Sequence, residues 1–173
     1  MYKYTTLFLI FLTTFLNSCN PRHKGTNIDK ELYEIYVEFL EDCESYGVNI
    51  DNYPRLSNLK LNEMSEETVG VCVTDETLFM KYRNVYVNDI IKDRFLLKFI
   101  AYHEMGHCIF GLEHDNSERL RLMTEEINLE YRDLYYKNWD NMKYLYFKKV
   151  REIKQATIND EDSYCKIEGY EKN

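Results

Sequence analysis

Apolar side chains at Leu32, Ile35, Tyr36, Phe39, Leu40 and Cys43 recur at intervals of three and four, the spacing that gathers residues on one face of an α-helix. The pattern predicts an amphipathic helix over 28–46, with Thr26 or Asn27 to cap its start and Gly47 to end it. The period then changes. Segments 55–62 and 69–74 read as strands, the second because Val69-Gly70-Val71-Cys72-Val73 is rich in β-branched residues. Asn84-Val85-Tyr86-Val87-Asn88 reads as another, after a loop or bend near 81–83. From Asp93, a good N-cap, to Gly111, the residues Phe95, Leu96, Leu97, Phe99, Ile100 and Ala101 make a helix apolar nearly all round. Such a helix belongs at the centre of a domain. Gly106 within it costs about 1 kcal/mol relative to Ala, and marks either a close approach by another backbone or a substrate, or a merely tolerated glycine. Tyr131, Tyr135, Trp139, Met142, Tyr146, Val150 and Ile153 trace one face of a long C-terminal helix, an aromatic stripe suited to a core. The whole is an α+β pattern.

The N-terminus departs from it. Lys3 precedes the run Leu7-Phe8-Leu9-Ile10-Phe11-Leu12 and then Phe15-Leu16, too short for a comfortable membrane span and ending in Asn17-Ser18-Cys19. This reads as a secretory signal over 1–18. Leu16-Asn17-Ser18-Cys19 is similar to a bacterial lipobox, which implies an acylated Cys19 as mature N-terminus, a tether over 19–27, and an exported lipoprotein held to a membrane. The remainder, 28–173, has the length of one domain. With 30 Asp and Glu against 22 Lys and Arg, interspersed, the chain is a poor partner for a phosphate backbone, so nucleic-acid binding is excluded as its role.

Four cysteines follow Cys19, and in an exported chain they allow two disulfides in three connectivities. A Cys72–Cys108 bridge would tie a strand to the end of the central helix, leaving Cys43 and Cys165 for a second. Cys108 as a metal ligand is the alternative, but it points about 100° away from its neighbour His107.

The chemistry concentrates in His103-Glu104-Met105-Gly106-His107 and the following Cys108-Ile109-Phe110-Gly111-Leu112-Glu113-His114-Asp115. Two histidines four apart on a helix present their rings to one point, and three of the chain's four histidines fall here. His103, His107 and His114 are the expected ligands of a catalytic Zn2+, with Glu104 placed to move protons for a water in the open position. A continuing helix would carry His114 roughly 10 Å beyond His107, so the chain must turn back, and Gly111 stands where a left-handed residue can turn it.

These residues resemble the metzincin clan of zinc endopeptidases, His-Glu-x-x-His-x-x-Gly-x-x-His followed by a methionine turn. The form with His-Cys and a later His-Asp pair is also similar to small bacterial lipoprotein metallopeptidases. One departure stands out: Gly111 lies four residues after His107 instead of three, moving the last histidine one place downstream. The resemblance implies a twisted sheet and two helices above the metal, a smaller helical part below it, Met123 beneath the site, and hydrolysis of peptide or protein substrates. Met123 also reads as an ordinary core methionine, and Asp115 as a hydrogen-bonding support for the loop. Glu113 and Asp115 stay open as substitute ligands. A gluzincin-like enzyme with Glu125, Glu126 or Glu130 as third ligand, and a non-catalytic zinc-stabilised binding lipoprotein, are the rival readings.

Overall fold

The fold is mixed α+β, and a computed structural model describes residues 25–77, 81–117 and 120–167, with side chains to residue 155. The signal segment, Cys19, most of the tether and the Cys165 side chain lie outside the described residues. Among those described are four strands, β1 (Asn27–Ile28), β2 (Asn58–Asn62), β3 (Gly70–Glu76) and β4 (Lys81–Asn88), and four α-helices, α1 (Lys30–Ser45), α2 (Arg94–Met105), α3 (Arg132–Lys137) and α4 (Trp139–Ile167). None of these helices is long and apolar enough to cross a membrane.

The sheet runs β1-β2-β4-β3, with β1, β2 and β4 parallel and β3 antiparallel at one edge. Helix α1 supplies the crossover between parallel β1 and β2. It starts later than the periodicity predicts: Asn27 and Ile28 pair with Asn58 and Leu59 as a strand, and Asp29 becomes the N-cap residue. Strand pairing satisfies backbone groups that a helix start would leave bare. The expected bend near 81–83 is likewise absent, because Lys81 to Arg83 pair with Glu76 to Thr74 and extend β4. The expected single C-terminal helix is broken at Asn138, whose side chain donates to Leu134 O.

The core lies between the sheet and α2, and between α2 and the two long helices α1 and α4. Leu59, Val85, Phe39, Phe99, Ile100, Tyr102 and Phe147 are fully buried there. Phe39 meets Tyr102 edge-on at 5.1 Å, and Phe99 stacks on Tyr135 at 4.6 Å, contacts worth about 0.5–1.5 kcal/mol each beyond burial. Of the C-terminal stripe, Tyr135, Trp139, Met142, Tyr146 and Val150 are buried, whereas Tyr131 is half-buried and Ile153 exposed. One polar network crosses this interior. Asp42 on α1 accepts both bonds of Lys143 on α4 at 2.9 Å, and the Tyr102 hydroxyl on α2 donates to the same carboxylate at 2.8 Å. The three helices are thus joined by a charge pair that is costly to break from one side. Burial, with Asp42 beside it, pushes the Tyr102 hydroxyl pKa well up, so Tyr102 stays a donor at any ordinary pH.

Candidate metal centre

Helix α2 begins where Asp93 accepts from the Leu96 N–H at 2.9 Å, and that bond holds the Asp93 carboxyl below its ordinary range. The helix then carries His103 and His107 on one face, one turn apart. Each ring is aimed by its other nitrogen: His103 Nδ1 donates to Leu122 O at 2.8 Å and His107 Nδ1 donates to Leu112 O at 2.6 Å. A carbonyl can only accept, so both Nδ1 atoms carry the proton and both Nε2 atoms are left with bare lone pairs.

Those lone pairs face one another. His107 Nε2 lies 3.1 Å from His103 Nε2 and 3.1 Å from His114 Nε2, and the ligand atoms of all three fall within 4.8 Å. Tetrahedral ligands at zinc–nitrogen distances of about 2.0–2.1 Å stand about 3.3 Å apart, so the spacing matches what one ion requires. A cation is what relieves the repulsion between such converging lone pairs. Burial pushes the His103 pKa down to about 4 against the opposing bond to Leu122 O, and pushes His107 down as well. Both rings are thereby kept in the neutral form that binds metal.

The additional residue between His107 and Gly111 is accommodated inside the helix. After Met105 the helix widens to a π turn over Gly106–Phe110, and the Gly111 N–H reaches back five residues to Gly106 O. A π turn takes in one residue more than an α turn. Gly111 follows at φ 65°, and the Leu112 N–H closes the reversal on Gly106 O at 3.1 Å. This brings Leu112 O under His107 and returns His114 to the metal face. The helix therefore ends as expected at Gly111, but not as a uniform α-helix.

The loop beyond is pinned by the Asp115 N–H, which donates to Met123 O at 2.7 Å. The Asp115 carboxylate accepts from Ser117 N–H and faces Arg121 at 3.9 Å, and the Ser117 bonds hold its pKa low. Met123 is buried directly under the helix: a Cβ at Gly106 would sit 2.7 Å from Met123 Sδ and 3.0 Å from the Tyr146 ring. Gly106 thus makes room for two side chains of this fold, neither a backbone nor a substrate. Its place in the packing was signalled by its cost in a helix, its partners by nothing in the sequence.

Glu104 lines the same cleft and reaches toward the edge strand β3. Its carboxylate accepts from the Cys72 N–H of β3, while burial pushes its pKa up to about 7. Gly70, two residues earlier on β3, has no side chain because a Cβ there would lie 2.7 Å from Ile100 Cγ2 and 2.9 Å from Glu104 Cγ. Cys72 is bridged to Cys108, and Arg83 of β4 donates to Cys108 O, so the π turn is tied to β3 by the disulfide and to β4 by a hydrogen bond. Closing a loop of this size with a disulfide stabilises a fold by about 2–4 kcal/mol. Cys43 is buried in the α1 face of the core and forms no disulfide, so the second bridge expected of it is absent among the described residues, the Cys165 side chain lying outside them.

Together these residues line an open cleft of about 420 Å³, bounded by 67–72 on one side and by His103, Glu104, His107, His114, Glu125 and Ile127 on the other. Among the described residues, the group able to hold a metal comprises the three histidines, without Glu113, Asp115, Glu125, Glu126 or Glu130. Glu125 reaches the cleft wall but accepts from Asn116 Nδ2 at 2.9 Å, while Glu113 lines a separate hollow between the loop and α4. Comparison with family models, with curated proteins and with solved structures finds no match to this chain.

Proposed function

We propose that this chain is a zinc-dependent peptidase of metzincin type, with His103, His107 and His114 as ligands and Glu104 as the proton-transferring carboxylate. The observation that carries the reading is the joint geometry: three converging Nε2 atoms at 3.1 Å steps, and a buried carboxylate one residue from the first of them, facing the same open cleft. Zinc in such a site supplies a Lewis acid that polarises a carbonyl oxygen and makes water nucleophilic near neutral pH. The chain's own residues do the rest. A carboxyl whose pKa lies near 7 is suited to take a proton from water and to return it to a leaving amine. A nearby cation would favour its ionised form, which is the form needed for the first transfer.

The cleft wall supports an extended peptide as the substrate of this reading. Strand β3 stands at the sheet edge, and an exposed edge offers an extended peptide a ladder of backbone partners beside the histidines. We further place the protein on a membrane through an acylated Cys19, as an exported bacterial lipoprotein. That rests on Leu16-Asn17-Ser18-Cys19, and mass spectrometry of the native N-terminal peptide tests it, with an unmodified Cys19 as the adverse result.

The deciding experiment is a peptide-library digest with the zinc-loaded protein and its Glu104→Ala variant. The parent cleaves internal peptide bonds, while the variant keeps its zinc and loses turnover by about 10²–10⁴-fold. Equal turnover by both ends the assigned role of Glu104. Zinc bound by both with turnover by neither makes the protein a zinc-stabilised binding lipoprotein instead.

A further inference from the structure

Strand β3 touches Glu104 at two points that have nothing to do with pairing to its neighbour. In the β3–β4 ladder the Asn88 N–H donates to Val69 O, and the register sets Gly70 opposite Val87 and Cys72 opposite Val85. In an antiparallel ladder, bonded and non-bonded pairs alternate. Val69, Val71 and Val73 therefore spend their backbone groups on β4, and the N–H groups of Gly70, Cys72 and Thr74 point off the free edge. One of these, on Cys72, is taken by the Glu104 carboxylate. Gly70 lies on the same face of the strand, where any side chain would collide with the Cγ and Oε1 of Glu104. The bridge from Cys72 to Cys108 fixes this strand to the turn that follows His107.

We infer that Cys72 and Gly70 are positioning residues for Glu104: the free-edge N–H of Cys72 is the rest on which the carboxylate is held, Gly70 is the space it occupies, and the Cys72–Cys108 bridge keeps the rest at bonding distance. The disulfide is then a part of the catalytic geometry in addition to a staple of the fold. This inference rests on the role proposed for Glu104 above, but its first test does not need turnover. An amide on a free edge exchanges with solvent quickly unless something accepts its hydrogen bond. Hydrogen exchange of backbone amides, resolved by NMR in the parent and in Glu104→Ala, reads that bond directly.

Protection of the Cys72 amide falls by at least about tenfold in Glu104→Ala, while that of Thr74, whose N–H also points off the edge, does not change. A Cys72 amide that exchanges as fast as Thr74 in the parent, or that is unaffected by Glu104→Ala, overturns the inference whether or not the protein is a peptidase. With an active parent, Gly70→Ala lowers kcat by about tenfold or more with KM and zinc affinity near the parent's; the paired Cys72→Ser, Cys108→Ser variant, which also frees the π turn, lowers kcat at saturating zinc by about tenfold or more, beyond any loss of zinc affinity, and Thr74→Ala is the same-strand control. Variants that lose zinc affinity in step with kcat, or keep full kcat with the bridge gone, refute it. A parent without turnover but with the Glu104-dependent amide protection refutes the peptidase reading and leaves the positioning contact standing.

Discussion

The two halves of the candidate metal centre are built on different principles. His103 and Glu104 ride on the buried end of α2 and half-buried His107 on the π turn that continues it, with each histidine aimed by a backbone carbonyl at 2.8 or 2.6 Å. His114 comes from a loop, is exposed, and owes its position to the chain reversal at Gly111 and to the Asp115 N–H bond on Met123 O. The helical half is preorganised by packing that exists without metal. The loop half must be ordered at a conformational cost of about 1–2 kcal/mol per fixed residue. A site of this kind binds its ion in two unequal steps, with the helical pair setting affinity and the loop ligand completing the geometry.

The sharpest test compares ligands from the two halves. Zinc sites bind with about 10–16 kcal/mol over four ligands, so one ligand contributes about 3–4 kcal/mol. His103→Ala and His107→Ala should each weaken zinc binding by about a thousandfold, and His114→Ala by about a hundredfold, because release of the loop returns part of its ordering cost. Competition with a chromogenic chelator measures all three. Equal losses would erase the distinction between the halves, and full affinity in His114→Ala with loss in a glutamate variant would overturn the third ligand.

The rigidity of the helical half depends on the network behind it. Lys143→Met leaves Asp42 and Tyr102 with a buried, unpaired carboxylate, and should lower unfolding free energy by about 3 kcal/mol as read by denaturant titration. Tyr102 adjoins His103, so zinc affinity should fall with it if packing really sets the helical ligands.

Titration probes the helical half next. In the metal-free protein the Glu104 pKa is raised from 4.5 to about 7 and the His103 pKa lowered from 6.5 to about 4. A raised carboxyl pKa means stability present below pH 4.5 and lost as pH rises through about 7; a lowered imidazole pKa means stability present above pH 6.5 and lost as pH falls through about 4. Each window is on the order of 2–3 kcal/mol. Glu104→Gln should therefore gain on the parent as pH rises from 5 to 8, by roughly 2 kcal/mol, in chelator-treated thermal melts. A constant difference across that range would show that burial does not hold Glu104 protonated.

The loop half should respond most gently. Gly111→Ala forces a left-handed conformation on a residue with a Cβ and costs about 1–2 kcal/mol, with a zinc affinity loss of about tenfold. Asp115→Ala, which spares the backbone bond to Met123 and removes only the carboxylate, should lower zinc affinity by less than about tenfold.

Much of this was legible along the chain. The α1 and α2 periodicities, the Asp93 cap, the β-branched strands and the turn at Gly111 all follow from local signals, whereas the bridge of Cys72 to Cys108 was one of three connectivities that the sequence left open. Two of the misreadings, β1 and the extension of β4 through 81–83, depend on strand partners, and periodicity carries no information about partners; the break at Asn138 is made locally, by its side chain on Leu134 O. Gly70 passed as one more residue of a β-branched strand, and what approaches it is Glu104, thirty-four residues on.

The sequence by itself determined the helical half of the site, because four-residue spacing on an α-helix brings two side chains to one face whatever surrounds them. It also determined that the chain must turn at Gly111, since a left-handed residue is needed where the helix cannot continue. Only the tertiary structure decided how the displaced histidine returns to the others: a π turn absorbs the extra residue, held by Arg83 and by the bridge to β3. It also decided where Glu104 rests. Helical spacing is a property of neighbouring residues, whereas the width of a helix's last turn and the aim of a carboxylate are set by what packs against them.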